Sequence, residues 1–492
     1  MAMLHDKKSL AGNLELFFDA LIHDGRFAFR QIVRRPGFSA LVVLTLAVGI
    51  GGSAAIFSVL KGVVLRALPY AEPDQLVAVW ETPRDEHWHQ PFTSPDYFDV
   101  REQSRTLQEI GVLSGNWFNL AGEGMPMRVR GGVCTASLLK VLGVPPLHGR
   151  LFVEDEEVEG TDRVVVLSYG LWQRQFGGEA GVVGQKISVN GEPHEIVGIM
   201  PEAFEFPTPW GGRDNSELWV PLVLRRDDEA RGSHWLGAVA RLEDGVTATE
   251  AEAELKGIAA QLAEAYPNTN ARTTMYTEPL MERTLGGVRQ GLVYLMFIVG
   301  LVLLIACANI AGMLLARGAQ RVQELAIRGS VGADRHRLVR QFLTESLLLS
   351  LFGGAAGFLL AYWGVGALMS TIPDNVPRVA GVQVDMQVLG FAAATTIIAG
   401  LLFGLAPAVF ASRTDFVTAL KEGGPGRGGG RGRNRFLAVL VAAQVAMGLI
   451  LVNAAVLLVV SYSNVMSQDM NFDADEVLVA GISISGPAYE EP

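Results

Sequence analysis

The stretch FSALVVLTLAVGIGGSAAIFSVL at residues 38–60 decides the fold, because none of its 23 side chains is ionisable. A helix needs about 20 apolar residues to cross a bilayer. Four more stretches meet this requirement, at residues 292–316, 342–369, 388–411 and 436–461, and Glu345 is the one Asp, Glu, Lys, Arg or His residue within all five. The sequence therefore predicts five membrane-spanning helices. The first is predicted to be a retained anchor, since its apolar run exceeds the roughly 7–15 residues of a signal peptide.

The composition excludes several other classes of protein. Of the 492 residues, 49% are hydrophobic and 18% are charged, whereas soluble domains carry about 25% charged residues. The two cysteines, Cys134 and Cys307, are too few for a disulfide framework or a cysteine-based zinc site. The net charge of −11 argues against a nucleic-acid partner.

Basic residues near the spans predict which side of the membrane each loop faces, because cytoplasmic loops are enriched in them. They cluster before the first span, between the second and third, and between the fourth and fifth, whereas the loop at residues 370–387 holds only Arg378. This pattern predicts a cytoplasmic N-terminus and an outer region at residues 66–287. That region carries 19 Lys and Arg against 34 Asp and Glu, so the acidic part of the chain is predicted to face outward.

Short strand patterns and helix signals predict an α+β fold, in one lobe or two, for residues 66–287. Strands are predicted at residues 76–80, 164–167, 218–222 and 238–242. Asn190-Gly191 predicts the tight turn of a β-hairpin. Thr247 and Glu250 have the spacing of a capping box, which predicts that a helix begins there.

Three further segments lie outside the spans and the outer region. Residues 1–37 predict a cytoplasmic juxtamembrane helix, which either lies in the membrane interface or simply leads into the first span. The Gly- and Arg-rich residues 412–435 predict a flexible cytoplasmic linker, an interpretation we favour over an RNA-binding segment. Residues 466–492 resemble the chain that follows the first span, which predicts the truncated start of a second outer domain.

No constellation in the sequence indicates catalysis. The P-loop motif G-x-x-x-x-G-K-[ST] is absent from the 492 residues, so ATP and Mg²⁺ are expected on another chain. The sequence Glu-His-Trp-His at residues 86–89 offers two metal ligands without a third, and a polar loop is the favoured interpretation. Ser168 lies outside any nucleophile-elbow motif. We therefore expect a chain that is not an enzyme and binds no metal or cofactor; a membrane-anchored enzyme is the disfavoured alternative.

Small residues four apart predict faces on which membrane helices approach closely. Such pairs are Gly49 and Ser53, Ala308 and Gly312, Gly353 and Gly357, and Gly400 and Gly404. The amides Asn309, Gln444 and Asn453 are expected to hydrogen-bond between helices rather than to line a path. The spans lack the repeated acidic or histidine residues of an ion pathway, which argues against a secondary transporter.

The most distinctive stretch outside the membrane is ELAIRGSVGADRHRLVRQFLTE at residues 324–345, which follows the second span. It predicts a helix, a break at the glycines, and a second helix that enters the third span. Because it is basic and joined directly to a span, it can pass force from a cytoplasmic partner to the membrane. An ordinary basic loop is the alternative.

Four separate motifs resemble permeases of the MacB/FtsX type. They are the 324–345 stretch, PGFSA at 36–40 with LTLAVGIG at 44–51, VVVLSYGLWQR at 164–174 with GIMP at 198–201, and ARLEDGVT at 240–247. The resemblance covers most of residues 26–465. It is nearest to the duplicated permeases first noted in Acidobacteria, of which this chain resembles the first half and the opening of the second.

The resemblance implies an α-helical polytopic protein of the bacterial inner membrane, with an α+β extracytoplasmic domain between spans one and two. A separate ABC ATPase is expected to dock on the cytoplasmic helix at residues 317–341, with Glu324, Arg328, Arg335 and Arg337 as coupling residues. ATP and Mg²⁺ would bind to that ATPase, and ATP would drive motion of the outer domain of this chain for export or extraction of a substrate. The other expected partners are membrane lipid and a periplasmic adaptor. The assembly is expected to be dimeric or pseudo-dimeric. FtsX-like control of a periplasmic hydrolase, without transport, is the alternative that the motifs leave open.

Overall fold

A computed structural model describes residues 23–66, 68–84, 88–121, 127–207, 215–226, 231–320, 335–369, 382–413 and 430–467. The described residues divide into a helical unit and an α+β unit, and the α+β unit comprises residues 64–288. Each unit has its own buried core, as the membrane and outer parts of the predicted fold require.

Helices occur in both units. In chain order they are α1 (23–34), α2 (Pro36–Leu60), α3 (Ser94–Gln103), α4 (Ala136–Leu142), α5 (Tyr169–Phe176), α6 (Ala248–Ala265), α7 (Leu280–Gln320), α8 (Arg335–Met369), α9 (Met386–Arg413) and α10 (Gly430–Met466). The strands belong to the α+β unit. They are β1 (Leu76–Pro83), β2 (Leu107–Ala121), β3 (Met127–Cys134), β4 (His148–Gly149), β5 (Val164–Leu167), β6 (Lys186–Val189), β7 (Glu192–Ile199), β8 (Leu218–Pro221), β9 (Gly237–Leu242) and β10 (Thr273–Pro279).

Within the described residues, five helical stretches are long and apolar enough to span a membrane. They are Pro36–Leu65, Val288–Arg317, Val339–Met369, Met386–Leu405 and Asn434–Asn464. Each overlaps one predicted span, so the predicted polytopic helical fold is confirmed. The first stretch continues beyond α2 in a π-helical turn at Lys61–Leu65.

The helical unit packs most tightly around α2, α8 and α9. In the most apolar window of each span, 44%, 39% and 39% of the residues are buried for the first, third and fourth spans. The corresponding shares are 11% for the second span and 0% for the fifth. The buried core contains Leu46, Ile50, Leu349 and Phe403, and α7 contributes Cys307. The first, third and fourth spans therefore form one bundle, and most of the surface of α10 is exposed.

One mixed sheet organises the described part of the α+β unit. Its strands run in the order β10-β1-β9-β2-β3-β8-β5-β7-β4, and β6 pairs with both β2 and β7. Alternate residues of β1 face opposite sides, as the pleat of a strand requires. Ala78 and Trp80 pack with Leu138 of α4, whereas Val77 and Val79 pack in the core that includes Leu255 of α6.

The local signals of the outer region are confirmed where the sequence was most specific. The chain turns from β6 into β7 at Asn190 and Gly191, whose φ angles of 52° and 93° match the left-handed backbone that the predicted turn needs. Thr247 Oγ1 accepts from the Glu250 amide at 3.3 Å, and Glu250 Oε2 accepts from the Thr247 amide at 2.8 Å. The four predicted strands are present as β1, β5, β8 and β9.

The longest strand, β2, was not predicted, because its 15 residues include two glycines and a polar stretch that resemble a break. Gly111 serves a different purpose in this strand. A Cβ at that position would overlap the backbone of Leu138, so the glycine lets α4 approach the sheet. The strands β3, β4 and β10 and the helices α3, α4 and α5 were also missed.

Candidate functional site

The predicted coupling residues belong either to the sequence between α7 and α8 or to the beginning of α8. Glu324 and Arg328 lie outside the described residues, and Arg335 and Arg337 lie in the first turn of α8. Their role in coupling stays a prediction. The described residues around them nevertheless form a charged site at the predicted cytoplasmic end of the spans.

An ion pair joins the last turns of α7 to the beginning of the third span. Arg317 Nη1 lies 3.8 Å from Glu345 Oε1, and the two side chains are 11% and 8% exposed. The guanidinium carbon of Arg317 also lies 4.6 Å from the centroid of the Phe38 ring, at the start of α2. A cation so placed is attracted to both the carboxylate and the ring face. Arg317 of α7 therefore contacts both α8 and α2.

A second ion pair joins α1 to α8. Arg340 Nε donates to Asp24 Oδ2 at 2.6 Å, and the Asp24 side chain is buried. The Ser39 hydroxyl, in the first turn of α2, donates to the Ile32 carbonyl at 3.0 Å. The N-terminal helix is thus fixed by polar contacts to two spans. Sequence reasoning missed both ion pairs, although a single acid within a span, Glu345, was a signal that a buried partner is required.

The predicted small-residue faces have different surroundings in the structure. A Cβ on Gly353 would lie 2.5 Å from Leu46 Cβ, and one on Gly357 would lie 2.9 Å from the Ala47 carbonyl oxygen. These two residues therefore lie where α2 and α8 approach most closely. The opposite position on α2 is Gly51, which the sequence reasoning did not name.

Close approach also occurs between α8 and α9. A Cβ on Gly404 would lie 2.8 Å from Ser346 Cβ, and one on Gly400 would overlap the Ser350 hydroxyl. We call this set of close contacts the glycine seam. Its members are Gly51 on α2, Gly353 and Gly357 on α8, and Gly400 and Gly404 on α9.

The other two predicted pairs are less crowded. A Cβ on Gly49 would lie 2.9 Å from Leu303 Cδ1, the end of a flexible side chain, and Ser53 donates to the Gly49 carbonyl within α2. Ala308 is half-buried. A Cβ on Gly312 would meet only Leu440 Cδ2, at 3.9 Å, among the described atoms. The same spacing therefore accompanies both tight and open surroundings.

The predicted outer end of the bundle has an ion pair of its own. Lys61, in the π-helical turn, pairs with Asp385, which precedes α9. Asp385 Oδ1 also accepts from the amides of Gln387 at 3.0 Å and Val388 at 3.2 Å, so it caps the helix. These hydrogen bonds, with the one from Lys61 first, lower the pKa of the Asp385 carboxyl.

The outer unit contains a separate cluster of charged residues beneath the connection from β8 to β9. His234 Nδ1 lies 2.8 Å from Oε2 of Glu81, whose side chain is fully buried. Burial raises the pKa of Glu81 to about 8, and the contact with Glu81 raises the pKa of His234. Arg231 pairs with Asp96, and its Nη2 lies 2.7 Å from Asp99 Oδ2. These contacts hold the connection against β1 and α3, which is a structural role.

The metal hypothesis gains no support from the described residues. Within them there is no group of three or more His, Cys, Asp or Glu residues that could hold an ion. Glu86 and His87 lie outside the described residues, and the His89 ring stacks on Tyr276 with centroids 4.9 Å apart. Cys134 is buried, and its burial raises the pKa of the thiol, as expected of an unreactive cysteine.

Comparison with known proteins identifies both parts of the chain. A family model described as the MacB-like periplasmic core domain matches residues 39–258, and one described as the FtsX-like permease C-terminal matches residues 296–416. The uncharacterized ABC transporter permease YknZ of Bacillus subtilis (strain 168) is 22% identical over 419 residues, which cover 82% of this chain and 99% of that protein.

Two export proteins match a shorter region. The pyoverdine export ATP-binding/permease protein PvdT of Pseudomonas syringae pv. syringae (strain B728a) is 29% identical over 285 residues, covering 56% of this chain and 40% of that protein. The macrolide export ATP-binding/permease protein MacB of Burkholderia cenocepacia (strain HI2424) is 26% identical over 290 residues, covering 58% and 39%. The chain thus spans about two fifths of the length of these export relatives.

The domain matches agree with the architecture described above, since the core-domain match contains strands β1 to β9 of the sheet and the permease match contains most of the second span and all of the third and fourth. The chain belongs to the MacB/FtsX-type ABC transporter permeases, as a multi-pass protein of the inner membrane with a periplasmic α+β domain.

Proposed function

We propose that this chain is a permease subunit that couples ATP hydrolysis on a separate ATPase to motion of its periplasmic domain, for export or extraction of a substrate. The observation that carries the proposal is the charged site at the inner end of the spans. The Arg317–Glu345 pair joins α7 to α8, the helices on either side of the 321–334 segment, and the Asp24–Arg340 pair joins α8 to α1. Force applied to that segment has a short route into three spans.

The ATPase is proposed as a partner because ABC permeases work with one and because this sequence contains no P-loop motif. We place ATP and Mg²⁺ on that partner and assign its contact to Glu324, Arg328, Arg335 and Arg337. Export is favoured by the names of two relatives, PvdT and MacB, which are both export proteins. The substrate class is left open, since neither the seam nor the charged site selects one.

We also propose that the permease works as a dimer or pseudo-dimer in lipid. The support is the exposed surface of α10 and of most of α7, which are apolar over their spans. In a membrane such surfaces contact lipid or another helix. A periplasmic adaptor or hydrolase is the further partner that would distinguish an exporter from a mechanical regulator.

The first test is co-purification of the full chain in nanodiscs with candidate stand-alone ABC ATPases. ATP hydrolysis is compared among the wild type, the double variant Arg335→Glu/Arg337→Glu, and the control Arg431→Glu/Arg433→Glu. The control makes the same charge change on the same predicted side, in the first turn of α10. Binding and stimulated hydrolysis that are lost only in the first variant support the proposal. Absence of binding to every candidate would contradict it.

The second test asks whether the periplasmic domain moves. Hydrogen–deuterium exchange of residues 66–287 is measured in the complex with ATP and with a non-hydrolysable analogue. The proposal expects a nucleotide-dependent change in exchange. Co-capture of a cell-wall hydrolase together with this change would favour the regulator over the exporter, whereas an unchanged domain would contradict mechanical coupling.

A further inference from the structure

The carboxylate of Glu345 is an unusual group for its position. It lies within the third span and its side chain is only 8% exposed. Burial of an acid in a membrane helix is costly unless a partner is near. Arg317 is that partner, and its guanidinium also lies over the Phe38 ring. The inner ends of the first, second and third spans therefore meet at one cation.

The second ion pair lies close to the first on the same helix. Arg340, which binds Asp24, precedes Glu345 by five residues, about a turn and a half of helix. In the first two turns of the third span, Glu345 thus pairs with a residue of α7 and Arg340 pairs with a residue of α1. Both contacts lie immediately beside the segment to which the proposed function assigns the ATPase.

Stability alone does not account for these charges. A buried ion pair contributes little net stability, because desolvation of the two ions offsets their attraction, and well-packed apolar residues often do as well. A charged pair does fix the register of two helices, because sliding either helix would separate the charges. Small-residue packing, as in the seam, holds helices together without this penalty.

We infer that Glu345 is a positioning residue for energy coupling: through Arg317 it locks α7 to α8, and with Asp24–Arg340 it makes α1, α7 and α8 move as one body. This inference rests on the proposed function, since it concerns how force from the ATPase reaches the spans. Its consequence is that loss of the lock leaves ATPase binding intact and uncouples hydrolysis from motion of the periplasmic domain.

The experiment uses the full chain with its ATPase in nanodiscs and measures two quantities separately. One is the Kd for the ATPase. The other is the ATP-dependent change in hydrogen exchange of the periplasmic domain per ATP hydrolysed, called the coupling ratio. The variants are Glu345→Gln and the swapped pair Arg317→Glu/Glu345→Arg. Glu264→Gln, an exposed residue at the end of α6, is the matched control.

We expect Glu345→Gln to bind the ATPase like the wild type and to lower the coupling ratio roughly 3- to 30-fold, the range typical of residues that transmit coupling. The swapped pair is expected to recover at least part of that loss, because it restores opposite charges at the two positions. An unchanged Kd for the ATPase in both variants separates uncoupling from loss of the folded chain. A wild-type coupling ratio in Glu345→Gln overturns the inference and leaves the proposed function standing. A wild-type chain that neither binds nor stimulates any ATPase overturns both.

A second variant keeps the test decisive if Glu345→Gln does not assemble. Asp24→Asn removes the other pair and lies in α1, outside the spans. It is expected to lower the coupling ratio in the same direction with unchanged ATPase affinity. A wild-type ratio in Asp24→Asn, together with no recovery in the swapped pair, overturns the inference.

Discussion

The third and fifth spans are both apolar enough to cross a membrane, but their surroundings are opposite. The most apolar window has a mean hydropathy of 1.6 in the third span and 2.4 in the fifth. Within the described structure, 39% of that window is buried in the third span and none of it is buried in the fifth. The difference lies in where small residues fall. Gly353 of α8 faces the Leu46 side chain of α2 and Gly357 faces the α2 backbone, whereas a Cβ on Gly448 of α10 would have no described atom within 4 Å. Hydropathy thus predicts that a helix spans the membrane, and small residues with a matching partner decide what it packs against.

The largest expected effect comes from filling the seam where two backbones meet. Gly357→Leu places a side chain against the Ala47 carbonyl and the Gly51 amide, neither of which can move aside alone. We expect the free energy of unfolding to fall by about 3 kcal/mol. The measurement is denaturation of the full chain in mixed micelles, with Gly448→Leu on α10 as the control. Equal losses in the two variants would remove the distinction between the spans.

A smaller change sharpens the comparison at one carbon atom. Gly353→Ala is expected to lower the free energy of unfolding by about 1–2 kcal/mol, since its Cβ would overlap Leu46. Gly312→Ala adds the same atom beside Leu440 at 3.9 Å and is expected to change stability by less than about 0.5 kcal/mol. The same micelle assay compares them. A loss in Gly312→Ala as large as that in Gly353→Ala would show that spacing alone predicts packing.

The amide on α10 tests whether the fifth span has a partner outside this chain. Asn453 donates to the Leu449 carbonyl of its own helix and is exposed. In a single copy, Asn453→Leu is expected to change the free energy of unfolding by less than about 0.5 kcal/mol. Self-association of the chain is measured in parallel by fluorescence energy transfer between labelled copies. Weaker association in the variant would mean that α10 is packed in the assembly after all.

The smallest effect is expected at the outer end of the bundle, where the Lys61–Asp385 pair is exposed. The pKa of Asp385 is lower in the folded chain than its ordinary value, so its contribution to stability is present above that value and is lost as the pH falls through the folded pKa. Hydrogen exchange in the first turn of α9 should therefore rise below about pH 4. Lys61→Met should reduce this dependence. An identical pH profile in that variant would contradict the assignment.

Much of the fold was predictable because its signals are local. A run of apolar residues identifies a span, and the Asn190-Gly191 pair and the capping box at Thr247 each act over a few residues. The glycine pairs of α8 and α9 were named from spacing. Their partners were not, since the contact between Leu46 and Gly353 joins residues far apart in the chain.

The charged site shows the limit of the same reasoning. Arg317 and Arg340 belong to the basic residues between the second and third spans, from which the orientation was predicted. That prediction requires no particular partner for either residue. Their pairing with Glu345 and Asp24 depends on how α1, α7 and α8 assemble. Glu345 carried a signal that the sequence reasoning recorded without using. Asp24 carried none, because an acid in a predicted interfacial helix is ordinary.

The seam also limits how this protein can change over generations. Every amino-acid replacement of glycine adds at least one carbon atom, so a codon for Gly51 or Gly357 has no neighbouring codon that encodes a smaller residue. At those two positions a Cβ on one helix meets the backbone of the other, and a single mutation cannot be matched by trimming the opposite side. Compensation requires the helices themselves to separate. The first and third spans are therefore expected to be inherited as a fixed pair.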